Sequence, residues 1–461
     1  MTNKILSLIF LPVFIISCTA RIENPEANII IDHWIRDIMD TAYYWNTKLP
    51  LQNNYNLSPS KFLKSLMYKD DRFSWIEEES TSNLKSYLLN NSKSYGFRVT
   101  LYYISRNSNL LVAEILYVQK NSPADKAGLR RGNLFDAVNN SKLTVSNYAS
   151  LLDPKVGTIS INTVSYDSYN GAFQQLKTVS LTAEILDQNP VAIDTLYNYN
   201  GYKIGYLLYN QFISDPGDKS LTYDKELENI FSGFKQSGIN CLIIDFRFNL
   251  GGELRACLKL ASLIVKNADT SKIFLKYEYN RIMDSILSSQ SEKNYFIDKF
   301  SDEPNNIGSN INCLAVITSN NTASASEAII NGLRPYMCVY LIGDTTVGKN
   351  YGSISITNEL KDIKWSFQPI VFKVFNCLDQ SDYSNGFPPD VYMLDGGLGL
   401  VPLGNRAEKL LAAALDKITG KSVKSEIIKG EEKWPVGFRS FNPDQNYPDI
   451  PFFKLKLNRI K

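Results

Sequence analysis

Apolar positions recur along this 461-residue chain with three successive rhythms, and each rhythm marks a different region. Near the start, Ile31, Trp34, Ile35, Ile38, Met39, Ala42 and Trp45 fall three and four apart, the spacing of a helix with one buried face. "SPSKFLKSLM" opens a second helix, with Ser58 as its cap and Pro59 at the first helical position. The pattern predicts an N-terminal helical region over 18–93, helical from 28 to 93. From 94 to 188 the rhythm shortens, and "FRVTLYYI", "LLVAEILYV" and "KTVSLTAEIL" read as strands. Between the last two, Pro123 opens a short helix, Gly128 closes it, and Gly132 and Asn139–Asn140 suit tight turns. From 189 to 425 the pattern alternates. "YKIGYLLYNQF", "CLIIDF", "CLAVITS" and "VYLIG" are apolar strands, and the segments between them carry helical spacing. Such alternation predicts a parallel sheet covered on both faces. Residues 426–461, with several prolines and aromatics, read as an appended tail.

Ahead of these regions stand Lys4 and "ILSLIFLPVFII" (5–16), an apolar run too short to span a bilayer, followed by Ser17 and Cys18. This is the form of an export signal. The cysteine directly after it resembles the lipobox of bacterial lipoproteins. That resemblance implies loss of residues 1–17, a lipid on Cys18 and a chain anchored in the cell envelope. The chain as a whole, 44% apolar and 12% aromatic, has the composition of a folded protein. A net charge of +2 gives no general field for nucleic acid. One histidine, His33, and cysteines without ligand spacing exclude a zinc or haem cluster, so no metal or cofactor is expected. His33 reads as a surface helix residue. The cysteines at 241, 257, 313, 338 and 377 read as buried thiols, with room for one disulfide in an exported chain.

Chemistry points to "SNNTASASEAIINGL" (319–333), where a buried strand turns into a helix at the carboxyl edge of the predicted sheet. "SASE" (324–327) also fits the S-x-x-E capping box, an ordinary helix start. A nucleophilic Ser324 or Ser326 needs a base, and the histidine lies far upstream. Lys349, in "GDTTVGKNYGS" after the next strand, is the natural replacement, because Ser–Lys pairs are a variant of the catalytic triad. To act, its amine must be neutral. A reference pKa near 10.4 must fall by roughly 3 units, about 4 kcal/mol, which burial supplies. Gly251–Gly252 let backbone approach a ligand closely, and their N–H groups, with that of Ala325, can surround an oxyanion.

Together these segments resemble the C-terminal processing (tail-specific) serine peptidases. "SPADKAGLRRGN" resembles the PDZ part of that family, "IDFRFNLGG" its glycine segment, "TASASEAIINGL" its nucleophile turn and "IGDTTVGK" its lysine loop. "DYSNGFPPDV" (382–391) is similar to Bacteroidetes-type members. The resemblance implies an α/β crotonase-like (ClpP-like) protease core behind a β-rich PDZ domain at 94–188. It selects Ser324 as nucleophile, through the family's separation from the lysine (349 − 324 = 25), with Lys349 as general base. It also implies that Gly251 or Gly252 joins Ala325 in an oxyanion hole, and that Tyr95, Gly96 and Phe97 form the loop that holds a peptide carboxylate. Its partners would be protein or peptide C-terminal segments, together with the membrane through the lipid. There is one departure: many members carry a glutamine four residues after the lysine, to orient it, and here that position is Ser353. A silent peptide-binding lipoprotein on the same fold is the alternative expectation.

Overall fold

The computed structural model describes residues 25–78, 93–105, 108–187, 189–266, 269–290, 294–357, 365–397, 399–423 and 439–441. The expected signal, Cys18 and most of the tail lie outside them.

Six strands build the main sheet, in the order Val191–Tyr199, Tyr202–Tyr209, Cys241–Asp245, Leu314–Thr318, Val339–Gly343, Val391–Tyr392. The first pair is antiparallel and every later pair is parallel. Successive side chains point to opposite faces. Leu242, Ile244, Leu314, Val316 and Leu341 join one core with Phe231 of helix Thr222–Gln236, Leu260 of helix Leu254–Ile264 and Ile329 of helix Ala325–Leu333. Ile243, Ala315, Ile317 and Ile342 face the other way, onto Leu411 and Leu415 of helix Lys409–Ile418. Burial on both faces is why these strands read as unbroken apolar runs. The arrangement aligns the carboxyl ends of three neighbouring strands. The turns after them carry Asn249–Gly252, Ser319–Ser324 and Asp344–Lys349.

The β-rich region is a second, antiparallel sheet, in the order Arg439–Phe441, Phe97–Tyr103, Leu111–Val118, Leu134–Val138, Thr158–Asp167, Ala172–Thr182. It has its own core, which includes Leu101, Ala113, Ile115, Phe135, Ile161 and Leu181. Helix Pro123–Lys126 is capped by Ser122, whose Oγ accepts from Asp125 N–H. Asn139 and Asn140 take φ of 49° and 60°, as a tight turn requires. Buried charges fasten this unit to the main sheet. Arg131 Nη1 donates to Leu116 O at 2.7 Å within the unit, and its guanidinium pairs outside the unit with Asp395. Arg247, fully buried, is bonded to Asp245 at 2.8 Å and to Glu408 at 2.9 Å. Removing one partner from such a set leaves an uncompensated charge, so its members are mutually dependent.

Three expectations need correction. Residues 28–93 are not helical throughout: after helices Pro25–Ala42 and Pro59–Leu66, Trp75–Glu78 is a strand paired antiparallel with Trp365–Gln368. Distant pairing, which local spacing does not encode, decides that segment. The tail is not merely appended, since Arg439–Phe441 adds to the second sheet. And of the five described cysteines only Cys241 and Cys257 are buried thiols; Cys338 is exposed. His33 is exposed as expected, and it stacks on Tyr55 at 4.2 Å.

On the first helix, Asp32 is wholly buried with neither carboxyl oxygen bonded among the described residues, and burial pushes its pKa up to about 7. A carboxyl raised in the folded state destabilises that state as pH climbs from the unfolded value toward the folded one. Asp32→Asn should therefore stabilise the protein by about 4 kcal/mol at pH 8 and by close to nothing at pH 4. Denaturant unfolding at the two pH values measures the difference.

Candidate active site

Ser324 stands at the start of helix Ala325–Leu333 with φ 64° and ψ −114°, a left-handed conformation costly for a residue with a Cβ. Glu327 makes its half of the predicted capping box, accepting from Ser324 N–H at 2.8 Å. The other half is not closed by a bond of normal geometry. Ser324 Oγ lies over the helix start, buried and without a hydrogen-bond partner. Ser326 Oγ, by contrast, donates to Asn249 O at 3.1 Å. Of the two serines named from the sequence, Ser326 holds the turn and Ser324 holds an uncommitted hydroxyl.

The Glu327 carboxylate does more than cap. Its Oε2 accepts from Ser324 N–H and from Lys349 N–H, each at 2.8 Å. Its Oε1 accepts from Gly348 N–H and Thr346 Oγ1, each at 2.6 Å. Burial pushes this carboxyl above its usual range, and the four donors pull it back toward the ionised form. One buried anion thus fixes the serine turn and the lysine loop at a single point. Gly348 also lets the lysine loop lie directly against the 384–386 segment, because a Cβ there would meet Ser384 O at 2.3 Å.

Lys349 is 2% exposed. Its cover comes from the N-terminal region, where the Phe73 ring lies 5.3 Å from Nζ. Phe73 is placed by its neighbours: Asp71 Oδ1 accepts from Phe73 N–H at 2.9 Å, and Arg72 Nη2 donates to Gly348 O at 3.1 Å and Ser384 O at 2.9 Å. Because Ser324 Oγ is unbonded, the Ser324–Lys349 hydrogen bond is not made in this structure. Ser353 is fully buried on the strand Tyr351–Ser353, opposite Ile370.

The glycine turn is brought against the serine by Asn249, which the sequence reading passed over. Asn249 Nδ2 donates to Tyr209 O and its Oδ1 accepts from Gly251 N–H, both at 2.8 Å, while its carbonyl accepts from Ala323 N–H at 3.2 Å. A Cβ on Gly251 would lie 2.8 Å from Ser324 Cβ and 3.2 Å from Ala325 N, so Gly251, Ser324 and Ala325 are in contact. Gly251 N–H is committed to Asn249. Among the described residues Gly252 N–H and Ala325 N–H have no acceptor, which makes them the free donors of this turn. Around Tyr95–Phe97, Gly96 N–H donates to Ser94 Oγ at 3.0 Å and Tyr95 O accepts from Ala124 N–H at 3.0 Å, so part of that loop's backbone is already engaged. Among the described residues no group of His, Cys, Asp and Glu is arranged to hold a metal.

Glu327→Gln replaces one acceptor oxygen by a donor facing N–H groups. It should lower unfolding free energy by about 2–4 kcal/mol, read as a fall in denaturation midpoint.

Comparison with known proteins gives this geometry a context. The sequence model of peptidase family S41 matches residues 203–393, and that of the peptidase S41 N-terminal domain matches 31–75. A carboxyl-terminal-processing protease of Picosynechococcus is 26% identical over 327 residues, which cover 70% of this chain and 71% of that protein. Carboxyl-terminal-processing peptidase 1 of Arabidopsis thaliana is 25% identical over 271 residues, covering 58% of this chain and 49% of its own length. A crystal structure of a putative S41 protease from Bacteroides fragilis superposes with TM-score 0.71 at 28% identity, covering 84% of this chain and 97% of that one. The serine turn, the glycine turn and the lysine loop all fall within the 203–393 match, and Phe73 falls within the N-terminal one. This chain belongs to peptidase family S41, with the family's protease core over the matched sheet.

Proposed function

We propose that the protein is an exported serine endopeptidase that cleaves protein substrates near their C-termini. Ser324 is the nucleophile and Lys349 the general base that takes its proton and later returns it to the leaving amine. The observation that carries this reading is the single carboxylate oxygen of Glu327 holding the backbones of both residues, with Ser324 Oγ unbonded and Lys349 withdrawn from water. Withdrawal from water favours a neutral amine, since burial disfavours the ammonium. An open Ser324–Lys349 bond in the free protein suits a pair whose bond tightens only with substrate present. The developing oxyanion is received by Gly252 N–H and Ala325 N–H, with Gly251 serving to bring them together. No metal or cofactor enters the reaction. Residues 94–188 act as a PDZ-like module that takes up substrate tails as an added strand. Residues 1–17 are the export signal, and a lipid on Cys18 tethers the enzyme to the cell envelope. Ser353 orients the lysine in place of the glutamine found in many relatives.

A second reading, a silent peptide-binding protein, is favoured by one observation: the Ser324–Lys349 hydrogen bond is unmade. The two separate cleanly. With an unfolded test protein such as reduced casein, Ser324→Ala and Lys349→Ala should each reduce cleavage by at least about 10³-fold with folding retained. Ser326→Ala should stay within about tenfold of the unmodified enzyme. Unchanged casein turnover in Ser324→Ala would refute the peptidase assignment. For the lysine's support, Ser353→Ala should lower kcat by about tenfold at constant KM, the mark of a positioning residue rather than a binding one.

A further inference from the structure

The strand Phe97–Tyr103 pairs on one side with Leu111–Val118, which leaves its outer edge as a place where another chain can add. In this structure that edge is already taken. Arg439–Phe441 lies along it antiparallel, with Arg439 opposite Tyr103 and Phe441 opposite Leu101. Followed in chain direction, the tail strand runs toward Phe97 and the Tyr95–Gly96 loop. A peptide captured by strand addition, with its carboxylate in that loop, runs the same way.

We infer that residues 439–441 are a resident occupant of the substrate-docking edge, which an incoming tail has to displace. This rests on the PDZ-like capture reading above. Three residues make few ladder bonds, each worth little net against water. Their occupancy comes instead from being on the same chain, at an effective concentration on the order of millimolar. A competing segment then meets only the fraction of molecules whose edge is open, and its apparent affinity falls by that fraction. The same strand also touches the glycine turn. Arg98 Nη1 donates to Phe248 O at 2.8 Å, one residue ahead of Asn249. What sits on this edge therefore lies one side chain from the backbone that positions Ser324.

The test uses the full chain with Ser440→Pro/Phe441→Pro, which removes adjacent N–H donors and so breaks the tail ladder whichever of the two faces the sheet. The probe is a fluorescein-labelled peptide copying residues 434–446, WPVGFRSFNPDQN. The variant should bind it at least about fivefold more tightly than the unmodified chain, and its Leu101 and Tyr103 amides should exchange hydrogen faster. Equal affinity in the two chains overturns the inference, as does unaltered exchange at those amides. A chain ending at Lys433 serves as the second variant should the double proline impair folding. The outcome is separable from the peptidase reading. Tighter probe binding with no casein cleavage in either chain sinks the peptidase and keeps the occupant. Cleavage by both with equal probe binding does the reverse.

Discussion

Glu327 is the constraint on which the site depends. Its carboxylate is buried, accepts from four donors and draws them from two loops that follow different strands. Such an anion is stable only while all its donors are in place, so it can neither drift nor be half-satisfied without large loss. The left-handed backbone at Ser324 is held by that requirement, and the lysine loop is held to the same oxygen. The Ser324 and Lys349 backbones owe their proximity to this shared carboxylate rather than to any bond between the two residues.

A second layer fixes where the glycine turn lies. Arg247 is locked between Asp245 and Glu408, and its carbonyl accepts from Ser319 Oγ at 2.6 Å. Two residues on, Asn249 distributes its amide and carbonyl among Tyr209, Gly251, Ala323 and Ser326. The "DFRFN" run therefore contributes no reacting atom. It is a buried polar truss that joins three strand ends, and its charges explain why polar residues interrupt an otherwise apolar strand exit.

Much of this was legible in the sequence, and the reason is physical. Alternating strands and helices imply a parallel sheet, a parallel sheet implies a functional carboxyl edge, and Ser324, Gly251–Gly252 and Lys349 all map to that edge. The capping-box match identified the Ser324–Glu327 contact, though not that the same glutamate reaches Lys349, because a bond between loops leaves no periodic trace. Phe73 and Arg72 escaped for a similar reason. Nothing in "YKDDRFSW" says which distant side chain it will cover. Trp75–Glu78 was misread because strand pairing with a segment almost three hundred residues away outweighs local spacing. The tail strand, at three residues, is too short to show any rhythm at all.

The shelter over Lys349 has a consequence for when the molecule becomes active. Phe73 belongs to the part of the chain synthesised early, and the lysine to a part made much later. On the proposed reading, the dry chamber for the amine exists only after these two have met, which requires the intervening sheet to be complete. A chain in which the two have not yet met has its serine and its lysine but no chamber. The shelter of that amine is thereby tied to closure of the whole chain rather than to any local segment.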